Sequence, residues 1–506
     1  MRPTWKLPLT VAIFILCIAP TFVSYASYTF RWDDSDYLST TMAASRAFWS
    51  GHRHELGLAM RGSRPPIMSF LGLPWGPLTS WSAAGKCFIS LAAFNAFFVV
   101  CALFLLLRLG LKPLYLIIAS LCVFAALGPF PAGADAHFTA TAMLADSLFA
   151  WIAFSAVLLI SYEAATETFS LKDSLLRGLF WSLILCAGAL TKVSFLYFIA
   201  SVLPVLLFVR FRRAGLLNLL LTFLSFIVCS LPVILYWLLY GQSALSYGFA
   251  SSFGYTSKVF YVPLFRFLAE TFRQSPGMLL SIAFTIACLV YFLAKEHRIA
   301  RTADLLPILI MLGYAVITLS SSNREIRFLF PAIISMPFLV ALLISRQTFA
   351  VPRQPAVAAA MFAFLLLVVA AIPTLRRANI RSTAYGEAVL AQASASNAKR
   401  IILATNSSTL NGPLMNLAIA ISPAPPPIQA IIPLGYRAAS RTPVEDDFRD
   451  ISQCDLVVFQ SADALDSSYV NPRLPEYELF ARQQFGGDPI ATVSGLRFYA
   501  LPHSQR

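Results

Sequence analysis

Charge is what this sequence has least of. Only 12% of its 506 residues are Asp, Glu, Lys or Arg, about half of the ~25% usual in soluble globular proteins. That excludes a water-soluble enzyme of ordinary composition. Neither a GxGxxG nor a P-loop pattern occurs, so no Gly-rich turn is there to cradle a nucleotide's phosphates. No CxxC metal pattern or disulfide framework is present either. Of the eight cysteines, Cys17, Cys87, Cys101, Cys122, Cys186, Cys229 and Cys288 fall in or beside apolar runs, and only Cys454 lies in a polar region. Internal repeats are lacking.

What the chain has instead is apolar length. It is 58% hydrophobic, with a mean hydropathy of +0.71, and several runs reach the ~20 residues that cross a bilayer. Eleven spans are predicted, at 8–28, 86–107, 113–130, 142–161, 175–191, 195–211, 216–240, 277–294, 304–320, 328–345 and 356–373. The first, behind Arg2 and Lys6, has no convincing small-residue cleavage site and reads as a retained helix rather than a signal peptide. The short loops 108–112, 162–174, 210–215, 295–303 and 346–355 and their edges carry Arg108, Lys112, Lys172, Arg177, Arg210, Arg212, Arg213, Lys295, Arg298, Arg301, Arg346 and Arg353. The positive-inside rule makes these cytoplasmic. The N-terminus is then inside and the C-terminus outside. The net charge of +14 is uneven: up to Pro373 there are 26 Lys+Arg against 13 Asp+Glu, and beyond it 12 against 11. The excess therefore speaks of topology and a lipid bilayer, not of nucleic acid.

Two long outer loops, 29–85 and 241–276, break the pattern. In the first, Asp36 to Trp49 has helical character ended by Gly51, and Ile67–Leu73 and Trp75–Trp81 read as short interfacial elements. In the second, Val262 to Arg273 reads as a short surface helix. From Thr374 onward the chain changes character. Helices are predicted at 385–397, 444–451 and 477–484, and strands at 400–404, 455–459 and 490–501, with a Pro-rich loop at 423–433. That alternation predicts a small α/β domain. The fold class is an all-α polytopic bundle of about 11 transmembrane helices, residues 1–375 with loop 29–85 included, followed by an extracytoplasmic α/β domain at 376–506.

The chemistry-bearing residues are few. Arg31-Trp32-Asp33-Asp34-Ser35-Asp36-Tyr37 directly follows the first span. Crowded carboxylates repel, so one can hold a raised pKa and serve as a base; alternatively Asp34 or Ser35 caps the helix beginning near Asp36. Arg64 stands before Pro65-Pro66, which fix its backbone. A guanidinium there suits phosphate or snorkels to headgroups. Asp146 and Lys192 interrupt apolar stretches near the outer ends of spans; Asp146 suggests a partner across the bundle or a site residue, and Lys192 a site residue or an anchor. Arg324 and Arg327, with Glu325, sit in a short outer loop against the topology bias, which suits phosphate, or an ion pair with Glu325. His52, His54 and Glu55 form a weak metal pattern.

Together these pieces resemble a family. An acidic pair (Asp33-Asp34) after the first span, a Pro-Pro element some thirty residues on, Leu190-Thr191-Lys192 near span five, and Arg327-Phe328-Leu329-Phe330-Pro331 before a late span resemble the GT-C glycosyltransferases. The likeness is to the branch of protein O-mannosyltransferases, lipid A aminoarabinose transferases and Rgt-like sugar transferases. It covers roughly residues 1–375. Asp-Asp stands where many relatives have Asp-Glu, and Arg64 where several have lysine. The resemblance implies inverting transfer of a sugar from a polyprenyl-phosphate donor to a lipid, polysaccharide or protein acceptor, on the outer face of a bacterial inner membrane. It implies Asp33 or Asp34 as catalytic base, and Asp36, Tyr37, Arg64, Asp146, Lys192, Arg324 and Arg327 as substrate-binding residues. It leaves a divalent cation, Mg or Mn, open, since relatives differ. The rival readings are a transporter or flippase of lipid-linked glycans, a polymerase or ligase of such glycans, and a membrane scaffold with an exported α/β domain.

Overall fold

The computed structural model describes residues 32–61, 65–79, 82–127, 145–165, 170–246, 263–274, 302–320, 326–345, 384–407, 409–435, 443–460 and 470–500, with part of 282–290. The chain divides into two compact units. One gathers 1–27, 60–71 and 88–377; the other gathers 28–59, 72–87 and 378–506. Most of the first long loop thus clusters with the tail, and 60–71 with the bundle.

The bundle unit is helical. Its elements include most of α4 (Ser82–Arg108), then α5 (Pro113–Leu127), α6 (Ala145–Ala165), α7 (Leu171–Thr191), α8 (Ser194–Tyr240), α9 (Leu264–Gln274), α10 (Thr302–Ser320) and α11 (Phe330–Ser345). It also holds the four-residue helix α3 (Ile67–Phe70). Four described helices are long and apolar enough to cross a membrane: those at Gly85–Arg108, Asp146–Ala165, Leu171–Thr191 and Ser194–Tyr240. The spans expected at 8–28 and 356–373, and most of 277–294, lie outside the described residues.

α6 is the centre. Every residue from Leu148 to Ser161 is buried, because α7, α8, α10 and α11 all pack against it. α8 has 47 residues, about 70 Å at 1.5 Å per residue, too long for one crossing of a ~30 Å hydrocarbon layer. It breaks at Gly215, whose φ of 78° lies in the left-handed region that glycine enters without a Cβ clash. The two halves flank α7 in opposite directions. Phe195 meets Gly188 and Arg210 meets Ser174, whereas Thr222 meets Gly178 and Ser230 meets Ser182. The two predicted spans at 195–211 and 216–240 are therefore a hairpin. Leu217, Leu224, Val228 and Leu238 point outward, all more than half exposed. Such a stripe marks a lipid-facing surface.

One expectation is corrected here. Arg177 and Arg210 lie inside helices and are buried, not loop cations. Arg177 Nη1 is 3.0 Å from Glu163 Oε1, and its Nε donates to Asp173 Oδ2 at 2.8 Å. Arg210 Nη1 is 3.4 Å from Glu163 Oε2, and its Nη2 donates to Ser174 Oγ at 2.9 Å. Trp181 Nε1 also donates to Glu163. A buried guanidinium persists only when paired, and Glu163 supplies that pairing from the end of α6.

The second unit contains α1 (Trp32–Trp49), α2 (Arg53–Met60, apart from its last residue) and the tail. In the tail, α12 (Ala384–Ala395), β1 (Arg400–Ala404), α13 (Gly412–Ile421), β2 (Ala430–Ile432), α14 (Val444–Ser452), β3 (Leu456–Gln460), α15 (Leu474–Phe485), β4 (Ala491–Val493) and β5 (Leu496–Ala500) follow in order. The sheet runs β2-β1-β3-β5-β4, parallel through β2, β1 and β3 and antiparallel at β5 and β4. Its strands alternate between two cores. Ile401, Leu403, Leu456 and Val458 face one that includes Val389 and Met415; Ile402, Val457 and Phe459 face another that includes Ile451 and Tyr477. Both faces are covered, which is why β1 and β3 read as unbroken apolar runs.

The α/β expectation holds, with three adjustments. The Pro-rich loop contains β2. The single strand expected at 490–501 is a hairpin turned at Ser494-Gly495, both at positive φ (52° and 81°), the geometry of a type I′ turn. α13 is additional. Over β5, Glu478 takes two hydrogen bonds from Arg497, at 2.7 and 2.8 Å. Burial works to raise its pKa, but Arg497, Tyr499 and Arg482 outweigh that and hold it below the usual carboxylate value.

Replacing Glu163 with Leu leaves two buried arginines short of their shared carboxylate. The expected cost is about 3–5 kcal/mol, read by hydrogen exchange as lost protection across α6, α7 and α8. Unchanged protection would show that other groups neutralise the arginines.

Candidate functional site

The sequence-predicted residues fall into three groups. Asp146 and Lys192 are brought together in the bundle. Asp33, Asp34, Asp36 and Tyr37 share one helix in the other unit. Arg64 and Arg324 lie outside the described residues, and Arg327 is described in its backbone only.

Asp146 opens α6 and Lys192 follows the last residue of α7. The two helices run antiparallel, so the start of one meets the end of the other. Lys192 Nζ donates to Asp146 Oδ1, and Asp146 is buried. The lysine leaves the helix with an extended backbone (φ −154°, ψ 138°), directly before α8. Its ammonium lies 4.4 Å from the centre of the Phe328 ring and 5.8 Å from that of Phe149, within the ~6 Å of a cation–π contact. Phe149, Phe195, Phe198 and Tyr314 pack edge-on or tilted beneath the pair. Tyr314 donates its hydroxyl to the Phe328 carbonyl at 2.9 Å, tying α10 to the 3₁₀ turn Ile326–Leu329 that carries Arg327. One carboxylate, one ammonium and an apolar seat therefore converge at one end of α6. Glu163, 17 residues on, lies about 26 Å away along the helix, so the two ionic clusters occupy opposite ends.

The Pro65-Pro66 element is buried and leads into α3, which packs on α7. Nearby, Tyr236 donates to the Met60 carbonyl at 3.1 Å, and Arg61 lies over the Tyr240 ring at 5.0 Å. Arg61 and the Pro65-Pro66 element thus both belong to the bundle unit.

The acidic helix starts earlier than expected. α1 begins at Trp32 rather than near Asp36, so Asp34 and Ser35 lie within its first turns and the helix-cap reading does not hold. By helical spacing Asp34 falls in line with Leu38, Thr41 and Ser45, which are buried. Asp33 falls in line with Asp36 and Thr40, which are half-buried. Tyr37 is buried, and its carbonyl accepts from Thr41 Oγ1. His52 and Glu55 pair at the surface at 3.4 Å. Among the described residues, no three His, Cys, Asp or Glu side chains gather as a metal would require.

Sequence reasoning missed the aromatic seat. Phe328 lies within the Arg327–Pro331 motif, but nothing in the sequence marks it or Phe149 among 42 phenylalanines. The seat is sensitive to packing at Gly188, where an added Cβ would lie 2.3 Å from the Phe195 ring. Gly188→Ala is expected to cost about 1–3 kcal/mol by overpacking and to loosen residues 188–198 in hydrogen exchange. An unaltered exchange pattern would show that Phe195 does not fix the Lys192 turn.

No family model matches the sequence, and no curated protein sequence matches it. Among solved structures, the chain is similar to ArnT from Cupriavidus metallidurans, in a crystal structure bound to undecaprenyl phosphate. The TM-score is 0.57 and the identity 12%, over 100% of this chain and 99% of that one. The chain therefore has the ArnT fold, and four of its described helices are long and apolar enough to cross a membrane.

Proposed function

We propose that the protein is a glycosyltransferase that moves a sugar from a polyprenyl-phosphate donor to a hydroxyl acceptor, with inversion, on the extracytoplasmic face of a bacterial inner membrane. The observation that carries this reading is the full-length likeness to ArnT, whose crystal holds undecaprenyl phosphate. The Lys192–Asp146 pair supports it. Lys192 is a partly exposed ammonium held by Asp146 and flanked by Phe328, the type of charge that binds a phosphate.

In this reading Asp33 or Asp34 takes the proton from the acceptor hydroxyl. The acceptor oxygen attacks the anomeric carbon as the bond to the lipid phosphate breaks. Lys192, Arg64, Arg324 and Arg327 neutralise the leaving phosphate, and Asp36, Tyr37 and Asp146 orient substrate. Residues 1–375 form the catalytic membrane domain and 376–506 a periplasmic domain, with the N-terminus cytoplasmic. A divalent cation at the acidic motif is compatible with this scheme. The transporter reading calls for charge near the middle of the spans. Among the described residues the buried ion pairs of α6 sit at its two ends instead.

The test is sugar transfer from radiolabelled polyprenyl-phosphate sugars by purified protein, in wild type, Asp33→Asn and Asp34→Asn, with and without EDTA. Loss of the base is expected to lower turnover by about 10² or more in one variant that stays folded, and EDTA inhibition would add a metal. Full activity in both variants, or donor binding without turnover in wild type, would overturn the reading and move the transporter ahead.

A further inference from the structure

α13 is apolar on nearly all sides, yet only part of it belongs to the α/β domain's own core. Met415 and Ala418 enter that core, and Ile419 packs against it. Ala418 Cβ also lies 2.7 Å from where a Cβ on Gly386 of α12 would be. Leu417, Ala420 and Ile421 are equally buried, but neither core contains them. Successive residues in a helix turn by about 100°, which puts these three on one face, away from Met415. The helices packed against α13 are α12 and α1, and α1 makes the larger contact. The Leu417–Ala420–Ile421 face is therefore the one left for α1.

α1 is suited to such a seat. Leu38, Met42, Ala44 and Ala47 are buried along it, and the small alanines permit close approach of another helix. Its second half is held independently by residues 72–76. Ser45 Oγ donates to the Gly76 carbonyl, Trp49 Nε1 donates to the Leu73 carbonyl at 2.9 Å, and Gly72 sits against Thr41. α1 thus belongs with the tail rather than with the bundle.

We infer that the C-terminal α/β domain is the positioning element of the acidic helix: the α13 face of Leu417, Ala420 and Ile421 holds α1, and so sets where Asp33, Asp34 and Asp36 stand. The packing is independent of the catalytic reading. Its consequence for turnover rests on the proposed function.

The experiment uses the full-length protein in detergent. Hydrogen exchange is followed in peptides covering 32–49, with β1, β3 and α6 as controls, beside sugar transfer from the polyprenyl-phosphate donor. Leu417→Ala is expected to speed exchange in α1 by about tenfold while the controls stay protected. It should lower kcat with donor KM unchanged, and Leu417→Met should restore both. A loss of fold alone would not divide kcat from KM or spare the strands. Ile421→Ala, at the rim of the same face, gives the milder version if Leu417→Ala does not fold. Unchanged α1 exchange, or equal loosening of α1 and the strands, overturns the inference. So does a loosened α1 with wild-type turnover, provided Asp33→Asn or Asp34→Asn is inactive. If α1 loosens while both Asp variants remain fully active, the packing stands and the catalytic reading falls.

Discussion

A lysine at the end of an apolar helix pair has to be neutralised, and Asp146 does it from the neighbouring helix. Much of the bundle follows from that constraint and its twin at the opposite end of α6. There Glu163 neutralises Arg177 and Arg210. Charges held in apolar surroundings are stable only with partners, so each pair fixes which helices adjoin. Lys192 with Asp146 joins the end of α7 to the start of α6. Glu163 with the two arginines joins α6, α7 and the first half of α8. The Gly215 break then returns α8 along α7. Around the first pair the Phe149, Phe195 and Tyr314 rings form a seat, and Tyr314 ties the turn that carries Arg327 to α10.

The two pairs differ in how deeply they are held. Around Glu163 the partners Arg177, Trp181 and Arg210 come from two helices, α7 and α8, and are buried. Lys192 instead sits on an extended backbone between two helices and is only partly buried, with Phe328 beside it. A closed network of the first kind braces a fold. An arrangement of the second kind is the one proposed to meet a lipid phosphate.

Most of the bundle was legible because apolar runs near bilayer length have few alternatives, and the tail strands because β-branched runs stand out between turn residues. The failures have physical causes. Arg177 and Arg210 read as loop cations because nothing in one dimension pairs them with Glu163. α13 was invisible because a helix buried on two sides loses its periodicity. The tight turn at Ser494-Gly495 hid inside one apolar run, and β2 inside a Pro-rich stretch. At the candidate site, Asp146 and Lys192 were each legible as charges interrupting apolar sequence. That Asp146 calls for a partner across the bundle is legible too, but that the partner is Lys192, 46 residues on, and that an aromatic seat surrounds the pair are not. The acidic cluster is plain in the sequence, but its helix begins at Trp32, four residues before Asp36, because no cap residue in the sequence marks that start.

The central claim is that Lys192, held by Asp146, receives a lipid phosphate. The direct measurement is a double-mutant cycle on undecaprenyl phosphate binding, using wild type, Lys192→Met, Asp146→Asn and the double variant, each checked for fold by hydrogen exchange. The account predicts that Lys192→Met weakens binding by tenfold or more, about 1.4 kcal/mol. It also predicts that Asp146→Asn does no further harm once the lysine is gone. Wild-type affinity in Lys192→Met, or fully additive losses, would contradict it.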